Sequence, residues 1–133
     1  MPLFYVLIAK KNNIILCDYT SHTGNFQVIT MQLLQQIQPE SSKSLELEEY
    51  MFHYINQAGI LVLCMADKNV ERKLAFTFIQ DVRNTFQETY TKNDIENAKG
   101  YSLKSFGIQC LKPKMELYND NPMIANDKAD KLL

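Results

Sequence analysis

The absences that restrict the function of this chain concern paired cysteines, glycine-rich motifs and catalytic signatures. The three cysteines, Cys17, Cys64 and Cys110, form no CxxC pair, which argues against a zinc site or a disulfide framework. We expect reduced thiols that pack as small apolar side chains. Four glycines leave little material for a phosphate-binding loop, and the chain has no P-loop, GxSxG or dinucleotide-binding motif. The sequence therefore predicts no cofactor and no enzymatic activity.

Signals for nucleic acid, membranes and metals are also scarce. The net charge is −1 and Lys and Arg form no dense cluster, so we expect no binding to nucleic acid. The apolar run over residues 3–9 is short and follows no basic residue, which indicates a strand rather than a signal peptide, and no run approaches a membrane span. Neither His22 nor His53 has a partner at metal-ligand spacing, and we expect His53 to be a hydrogen-bonded structural residue.

The residues that are present suffice for one folded domain that begins with a hairpin. The chain has 133 residues, of which 46% are apolar and 22% charged, so it can bury a substantial core. Apolar runs over residues 3–10 and 14–20 flank Asn12 and Asn13, which tolerate the positive φ angles of a tight turn. This pattern predicts an N-terminal β-hairpin.

A second hairpin and a short strand are expected in the middle of the chain. Residues 50–57 and 59–67 are rich in β-branched and aromatic side chains and meet at Ala58 and Gly59, and the second run is apolar enough for the centre of a sheet. Before them, residues 45–48 alternate apolar and acidic side chains, which indicates a short, half-exposed strand. Carboxylates at such a position are typical of an edge strand, where charge blocks unwanted pairing.

The spacing of apolar residues predicts two amphipathic helices. The first covers residues 26–38, with Asn25 as its N-cap and Pro39 just after its end. The second covers residues 69–90, where polar residues including Asp81 lie off the apolar stripe. The stripes comprise Phe26, Ile29, Leu33 and Ile37 in the first helix and Val70, Leu74, Ala75, Phe78, Ile79, Val82 and Phe86 in the second.

The last part of the chain is expected to contain a third helix. Residues 91–100 have the composition of a polar loop, and residues 102–118 have helical spacing, with Pro113 expected to kink or shorten the helix. Because neither face of an apolar sheet can be left in water, helices must cover both faces. We predict an α/β (α+β) fold, a three-layer α/β/α sandwich whose five-stranded antiparallel sheet has one helix on one face and two on the other.

One group of apolar residues exceeds what the predicted core requires. Met31 and Leu34 extend the apolar arc of the first helix on one flank, and Leu45 and Leu47 point to one side of the short strand. If the strand lies beside that flank, the four side chains line a shallow apolar groove. The alternative is that all four form the ordinary periphery of the core.

Three stretches of the sequence resemble a known family. GNF at residues 24–26, YMFHYI at 50–55 and LCMADKNVERKLAFTFIQDV at 63–82 are similar, in order and spacing, to longin domains. These are the N-terminal domains of the long vesicle-associated membrane proteins, which are synaptobrevin-like R-SNAREs. The resemblance extends over residues 3–118 and implies a profilin-like sandwich that has no catalytic activity and binds no cofactor. Pro113 departs from the family, because relatives usually continue the last helix there.

The resemblance also implies partners and a binding site. Such longin domains fold back on their own SNARE helix and bind adaptor or tethering proteins, and the whole proteins pair with other SNAREs in vesicle transport and membrane fusion. They act at the cytosolic face of endomembranes, which they reach through a C-terminal anchor. The binding groove corresponds here to Met31, Leu34, Ile37, Leu45 and Leu47. The strand at residues 43–49 is more acidic than in many relatives, which implies either a more basic partner or a partner other than the usual one.

The end of the chain completes the predicted organisation. We expect a longin domain at residues 1–118 and, at residues 119–133, a linker broken at Pro122 that leads into the start of a truncated SNARE helix. Its first apolar positions would be Ala129, Leu132 and Leu133. The alternative is a stand-alone, longin-like scaffold subunit of an adaptor or tethering complex, which never carries a SNARE helix.

Overall fold

The chain folds into a five-stranded antiparallel sheet with helices on both faces. The computed structural model describes residues 2–126. The strands are β1 (Leu3–Lys10), β2 (Ile14–Thr20), β3 (Ser41–Leu47), β4 (Tyr50–Gln57) and β5 (Ile60–Asp67). Their order across the sheet is β2-β1-β5-β4-β3, which places β5 at the centre and β3 at an edge. Every neighbouring pair is antiparallel, so the predicted sheet is confirmed.

Left-handed residues form the turns of the two hairpins that the sequence predicts. Asn12 and Asn13 have φ angles of 68° and 58° in the short 3-10 turn between β1 and β2. Ala58 and Gly59 have φ angles of 55° and 76° between β4 and β5. Asparagine and glycine adopt this conformation at small steric cost, so three of these four residues suit their positions.

The edge strand β3 is longer than predicted. It begins at Ser41, four residues before the predicted start, and it pairs with β4 in an unbroken register from Ser41 opposite Asn56 to Leu47 opposite Tyr50. Glu40, at a φ of 51°, turns the chain into the strand. The serines carry no apolar signal, but their backbone groups pair with β4 as those of any residue would.

Helices cover both faces of the sheet. On one face lies α1 (Phe26–Leu34). On the other lie α2 (Arg72–Thr89), α3 (Lys92–Asn97), α4 (Lys104–Phe106) and α5 (Lys112–Asp120), with a π-helical turn at Gly107–Leu111 between α4 and α5. The predicted sandwich with a single helix on one face is confirmed.

Helix α1 ends earlier than the predicted boundary at residue 38. The amides of Gln36 and Ile37 each donate to a carbonyl three residues earlier, at 2.9 and 3.3 Å, a tighter pattern that closes the helix after Leu34. Pro39 also disfavours a helical conformation at the residue before it. Asn25 occupies the predicted N-cap position, but its side chain accepts no capping hydrogen bond.

A short helix, α3, occupies part of the segment at residues 91–100 that was predicted to be a loop. The Thr91 hydroxyl accepts a hydrogen bond from the Asp94 amide at 3.1 Å, and the Asp94 carboxylate accepts one from the Thr91 amide at 2.9 Å. This reciprocal pair is a capping box, so the spacing of Thr91 and Asp94 is the sequence signal for the helix. The Lys10 ammonium donates to the carbonyls at the far end, those of Ile95, Glu96 and Ala98.

Pro113 lies in the first turn of α5, directly after the π-helical turn. Proline has no N–H group to donate, but it is tolerated in the first turn of a helix. The Lys112 amide donates to the carbonyl of Gly107, five residues back, so the wider turn comes just before the proline. The interruption expected at Pro113 is therefore a change of helix type.

The apolar residues form two cores, one on each face of the sheet. Side-chain alternation sends Tyr5 and Leu7 towards α1, whereas Val6 and Ile8 face α2. The core under α1 contains Phe26, Leu33 and Leu34 from the helix with Phe52, Tyr54, Leu61, Leu63 and Met65 from the sheet. Because β1 and β5 are covered on both faces, their sequences are nearly continuous apolar runs.

Asp81 was predicted on the polar side of its helix, but it is buried. Its carboxylate accepts hydrogen bonds from the Lys114 ammonium and the Tyr118 hydroxyl, both at 2.9 Å. Burial and this carboxylate together raise the pKa of Tyr118. The charge on α2 is thus partnered by α5, which the periodicity of α2 alone does not reveal.

The chain stays in contact with the core after residue 118, where the domain boundary was predicted. The Asn119 side chain bridges the backbone of Leu3, accepting from its amide at 2.8 Å and donating to its carbonyl at 3.1 Å. Ala125 is buried against the core on the α2 face. The predicted start of a SNARE helix, with Ala129, Leu132 and Leu133, lies outside the described residues, and the domain division stays a prediction.

Gly107 provides a test of how closely the π-helical turn packs on the sheet. A Cβ atom at this position would lie 2.6 Å from the Asp18 carbonyl oxygen of β2, whereas one at Gly100 would lie 3.9 Å from its nearest neighbour, the Ile15 oxygen. Gly107→Ala should therefore lower the free energy of unfolding by about 1 to 3 kcal/mol, although alanine is normally the better helix former. Urea denaturation measures the change, and Gly100→Ala is the control. A Gly107→Ala variant as stable as wild type would contradict the close packing.

His53 is the buried histidine of the sheet. It is 1% exposed, and a 2.7 Å hydrogen bond joins its Nδ1 to the Ser44 hydroxyl of β3, while the Phe76 ring meets it edge-on at 5.5 Å. The expected hydrogen-bonded structural role is therefore seen in the geometry. Burial, and to a lesser extent the Arg72 guanidinium, lower the pKa of His53 from 6.5 to about 4.

This lowered pKa predicts loss of stability in mild acid. Below pH 6.5 the unfolded chain protonates His53, whereas the folded chain does so only near pH 4. The contribution to the free energy of unfolding is complete above pH 6.5 and falls by about 2 to 3 kcal/mol as the pH drops to 4. Denaturation of wild type and His53→Gln across this range measures it, because other titrating groups are common to both. Parallel pH profiles would contradict the prediction.

Candidate functional site

Helix α1 packs on one face of the sheet and runs in the opposite direction to the edge strand β3. At the start of α1 the Phe26 ring lies 6.2 Å, centroid to centroid, from Tyr50 at the start of β4. Beyond the end of α1, the Gln38 carbonyl accepts a hydrogen bond from the side chain of Asn56, near the end of β4, at 3.0 Å. Helix α1 therefore runs along β4, and β3 is antiparallel to both.

The topology determines which flank of α1 faces β3. Strands β2 and β3 are parallel to each other, because three strands separate them in an antiparallel sheet, and α1 is the crossover that joins them. Such crossovers are right-handed in nearly all proteins. A right-handed crossover turns the flank of α1 that carries Leu34 and Met31 towards β3. On the strand, Leu45 lies opposite Phe52 and Leu47 opposite Tyr50, so both leucines face the α1 side.

The five predicted groove residues differ widely in exposure. Leu34 is 2% exposed and belongs to the core, while Ile37 and Leu45 are half-buried and pack against that core. Met31 and Leu47 are 51% and 37% exposed. Ile37 was predicted on the helix but lies in the loop after it. The surface between α1 and β3 is thus a buried floor with two apolar side chains left in solvent.

The outer edge of β3 is open, in contrast to the other edge of the sheet. At the β2 edge the amides of Tyr101 and Leu103 donate to the carbonyls of Ile15 and Leu16 at 2.7 and 3.2 Å, so the chain covers that edge itself. Within residues 2–126 no segment pairs with the outer edge of β3. The apolar surface therefore lies beside a strand that can still accept a neighbour.

The rim of this surface carries negative charge at the turn between β3 and β4. Glu46 does not belong to the rim, because it alternates with Leu45 and Leu47 and so points to the opposite face of the sheet, where its carboxylate lies 3.0 Å from the Lys68 ammonium. Glu48 and Glu49 follow on the exposed turn between β3 and β4. A segment that carries basic residues beside its apolar ones would complement this rim.

Comparison with known proteins assigns the chain to a family. A family model for longin, described as a regulated-SNARE-like domain, matches residues 16–109, which is more than half of the chain. The chain belongs to the longin family. The prediction made from the three sequence stretches is confirmed, together with the profilin-like architecture that they implied.

Similar proteins are vesicle-associated membrane proteins of several lineages. The chain is 34% identical to vesicle-associated membrane protein 7B of Dictyostelium discoideum over 93% of its own length and 47% of that protein. It is 31% identical to vesicle-associated membrane protein 7 of Mus musculus, over 91% of the chain and 54% of the relative. For protein 712 of Arabidopsis thaliana the identity is 29%, over 92% and 56%. The chain thus spans about half the length of these relatives.

The longin domain exposes one further apolar residue near the predicted groove. Val28 of α1 is 56% exposed, one helical turn before Met31. Sequence reasoning missed Val28 because it lies off the apolar arc, where an isolated apolar residue carries no signal.

Thr30, on the buried side of α1, has a hydroxyl without a hydrogen-bond partner among the described residues.

The described part of this longin domain offers little for other chemistry. No group of three or more His, Cys, Asp or Glu side chains within residues 2–126 could hold a metal ion. None of the helices in that range has both the length and the apolarity needed to cross a bilayer. Cys17 and Cys64 are buried, and burial raises the pKa of the Cys17 thiol to about 12.

The difference in exposure predicts that the groove residues divide into two classes. Leu34→Ala should lower the free energy of unfolding by about 2 to 4 kcal/mol, because it empties a core position. Met31→Ala should change it by less than about 0.5 kcal/mol, because the Met31 side chain already contacts solvent. Urea denaturation of both variants measures this. Equal losses for Leu34→Ala and Met31→Ala would show that Met31 is core as well.

Proposed function

We propose that this longin domain is a non-enzymatic, regulatory interaction domain of an R-SNARE, and that its surface between α1 and β3 binds an amphipathic protein segment. The observation that carries the proposal is the pair of exposed apolar residues, Met31 and Leu47, beside a buried floor and an open strand edge. The relatives, which are vesicle-associated membrane proteins about twice as long as this chain, support the placement in vesicle transport and membrane fusion.

The occupant that we propose is the SNARE helix of the same protein. The predicted site, Met31, Leu34, Ile37, Leu45 and Leu47, then holds that helix and limits its pairing with other SNAREs. Adaptor or tethering proteins compete for the same surface. We place the full protein at the cytosolic face of endomembranes, held by a C-terminal anchor.

The energy available in this surface suits intramolecular binding. Full burial of one apolar side chain stabilises by roughly 1.5 to 3 kcal/mol, so two or three anchors leave a modest affinity after the docked segment is ordered. A short flexible linker gives an effective concentration of about 1 mM. A segment with a dissociation constant near 0.1 mM, as an order of magnitude, would then be docked about ten times as often as free. A separate partner must overcome this, which makes the domain a switch.

The alternative function is a scaffold subunit of an adaptor or tethering complex, without a SNARE helix. The open edge of β3 and the exposed apolar residues would suit a permanent partner chain equally well. The names and lengths of the relatives favour the SNARE, because each of them continues well beyond the matched half. The full reading frame separates the two functions.

The proposal predicts which substitutions release the docked segment. In the full-length protein, Met31→Ser combined with Leu47→Ser should lower the docked fraction at least about tenfold, because both apolar anchors lose their contacts. NMR shifts of the SNARE segment and its rate of pairing with partner SNAREs measure the docked fraction. The change should leave folding intact, since both side chains are solvent-exposed.

The matched control is Ile108→Ser. Ile108 is 71% exposed and lies in the π-helical turn on the opposite face of the sheet, so this variant removes a surface apolar residue elsewhere. Docking and SNARE pairing should not change in it. Unchanged shifts and pairing in the double variant would count against the site, and a SNARE segment that is free in wild type would count against fold-back itself.

A further inference from the structure

The loop between α1 and β3 closes one end of the groove and contains Ile37. It is poorly packed on its outer side. A cavity of about 350 Å³ separates Ile37, Pro39 and Glu40 of this loop from Lys11 and its neighbours in the β1–β2 turn. Ile37 packs against the core under α1 on the inner side of the loop, and polar contacts add to this hold where side-chain packing is missing.

Those polar contacts lead to the end of the β4–β5 hairpin. The Gln38 carbonyl accepts hydrogen bonds from the Ser41 hydroxyl at 2.6 Å and from the Asn56 side chain at 3.0 Å. The Glu40 carboxylate accepts one from the amide of Ala58, in the turn, at 3.0 Å. Glu40 itself adopts a left-handed conformation, with a φ of 51°. The loop is thus fastened to β4 and to the turn that follows β4.

The same turn is held from the opposite face of the sheet by Arg83 of α2. The guanidinium is 4% exposed and donates to the Ile60 carbonyl at 2.6 Å and to the Gln57 carbonyl at 3.1 Å. No carboxylate within residues 2–126 lies at ion-pair distance from it. The charge of Glu40, across the turn, is the one that favours the protonated guanidinium, against the desolvation that lowers the pKa of Arg83.

We propose that Glu40 and Arg83 are positioning residues for the groove. Both residues hydrogen-bond the β4–β5 turn, Glu40 from the α1–β3 loop and Arg83 from α2. The position of the turn therefore determines the position of the loop that carries Ile37. Arg83 touches nothing that docks in the groove, yet it determines the shape of the closed end. This inference rests on the proposed function, because it assigns residues to the regulation of that same surface.

Each residue supports the other, which makes the arrangement a coupled pair. Loss of Glu40 frees the Ala58 amide and removes a negative charge that favours the buried guanidinium of Arg83. Loss of Arg83 leaves two turn carbonyls without their donors, so the turn to which Glu40 is attached can shift. A double-mutant cycle should therefore show coupling between the two residues, although they lie on opposite faces of the sheet.

The test compares two substitutions at Glu40, an exposed residue whose replacement leaves the core intact. Glu40→Ala removes the acceptor, whereas Glu40→Gln keeps an oxygen for the Ala58 amide. In the 133-residue chain, labelled at Ile and Leu methyl groups, Glu40→Ala should shift the Ile37 and Leu45 signals and Glu40→Gln should restore most of the wild-type position. In the full-length protein, Glu40→Ala should lower the ratio of docked to free segment about fivefold, from about ten to about two, the size expected for one lost hydrogen bond.

The control is Asn119→Ala, which removes two hydrogen bonds to Leu3 at the other end of β1. It should lower the melting temperature at least as much as Glu40→Ala, but leave the methyl signals and the docked fraction unchanged. Arg83→Lys, which keeps the charge without the two-pronged donor, should shift the same two methyl signals. If Arg83→Lys fails to fold, the comparison of Glu40→Ala with Glu40→Gln still tests whether the loop contact positions Ile37.

Two failures can be told apart. If Glu40→Ala leaves the Ile37 and Leu45 methyl signals in place, or if Asn119→Ala moves them equally, the positioning role is wrong. If these signals respond as expected but no segment docks in the wild-type full-length protein, the proposed function fails and the positioning of the loop stands.

Discussion

The rest of the structure depends on the complete burial of the central strand pair. Every residue of β5 except the last is buried, and β1 is nearly as apolar, so both faces of the sheet must be covered. Helix α1 covers one face, and α2 and α5 cover most of the other. The helices bury the central strands completely, whereas the residues of β3 at the edge are half-buried or exposed. The candidate site lies where this cover ends, between one flank of α1 and β3.

Burial on both faces also explains the polar residues in the interior. A helix that covers a sheet turns some of its own polar residues inward, and each then needs a partner. Asp81 finds Lys114 and Tyr118 on α5, and Arg83 finds the carbonyls of a hairpin turn. His53 shares a hydrogen bond with Ser44 of β3. The first two sets of contacts join α2 to α5 and to the β4–β5 turn, and the third joins β4 to the edge strand beneath Phe76 of α2, so the layer opposite α1 also supports the frame of the groove.

The sequence predicts elements whose signal is local and apolar. The two hairpins, α2 and the central position of β5 follow from turn residues and from the spacing of apolar side chains. The beginning of β3 does not, because serines that pair through their backbone leave no apolar pattern. The burial of Asp81 depends on α5, and the end of α1 depends on a tighter last turn. The pattern placed the five predicted groove residues on one flank, and their role stays a prediction; it did not reveal their division into core and surface, since periodicity locates a flank without measuring its depth.

The site and the core share residues, and this limits how the domain can be regulated. Leu34 and Leu45 pack in the core under α1 while they form the floor on which a partner would rest. A change that reshapes the floor therefore costs stability, because close-packed interiors tolerate little volume change. Changes at the periphery cost less stability. They can act through the exposed Met31 and Leu47, through the open edge of β3, or through the hydrogen-bonded loop that ends at Glu40. The loop is hydrogen-bonded to the β4–β5 turn, which Arg83 holds from the layer behind the sheet, so it offers a route by which a partner bound there could alter the groove without unfolding it.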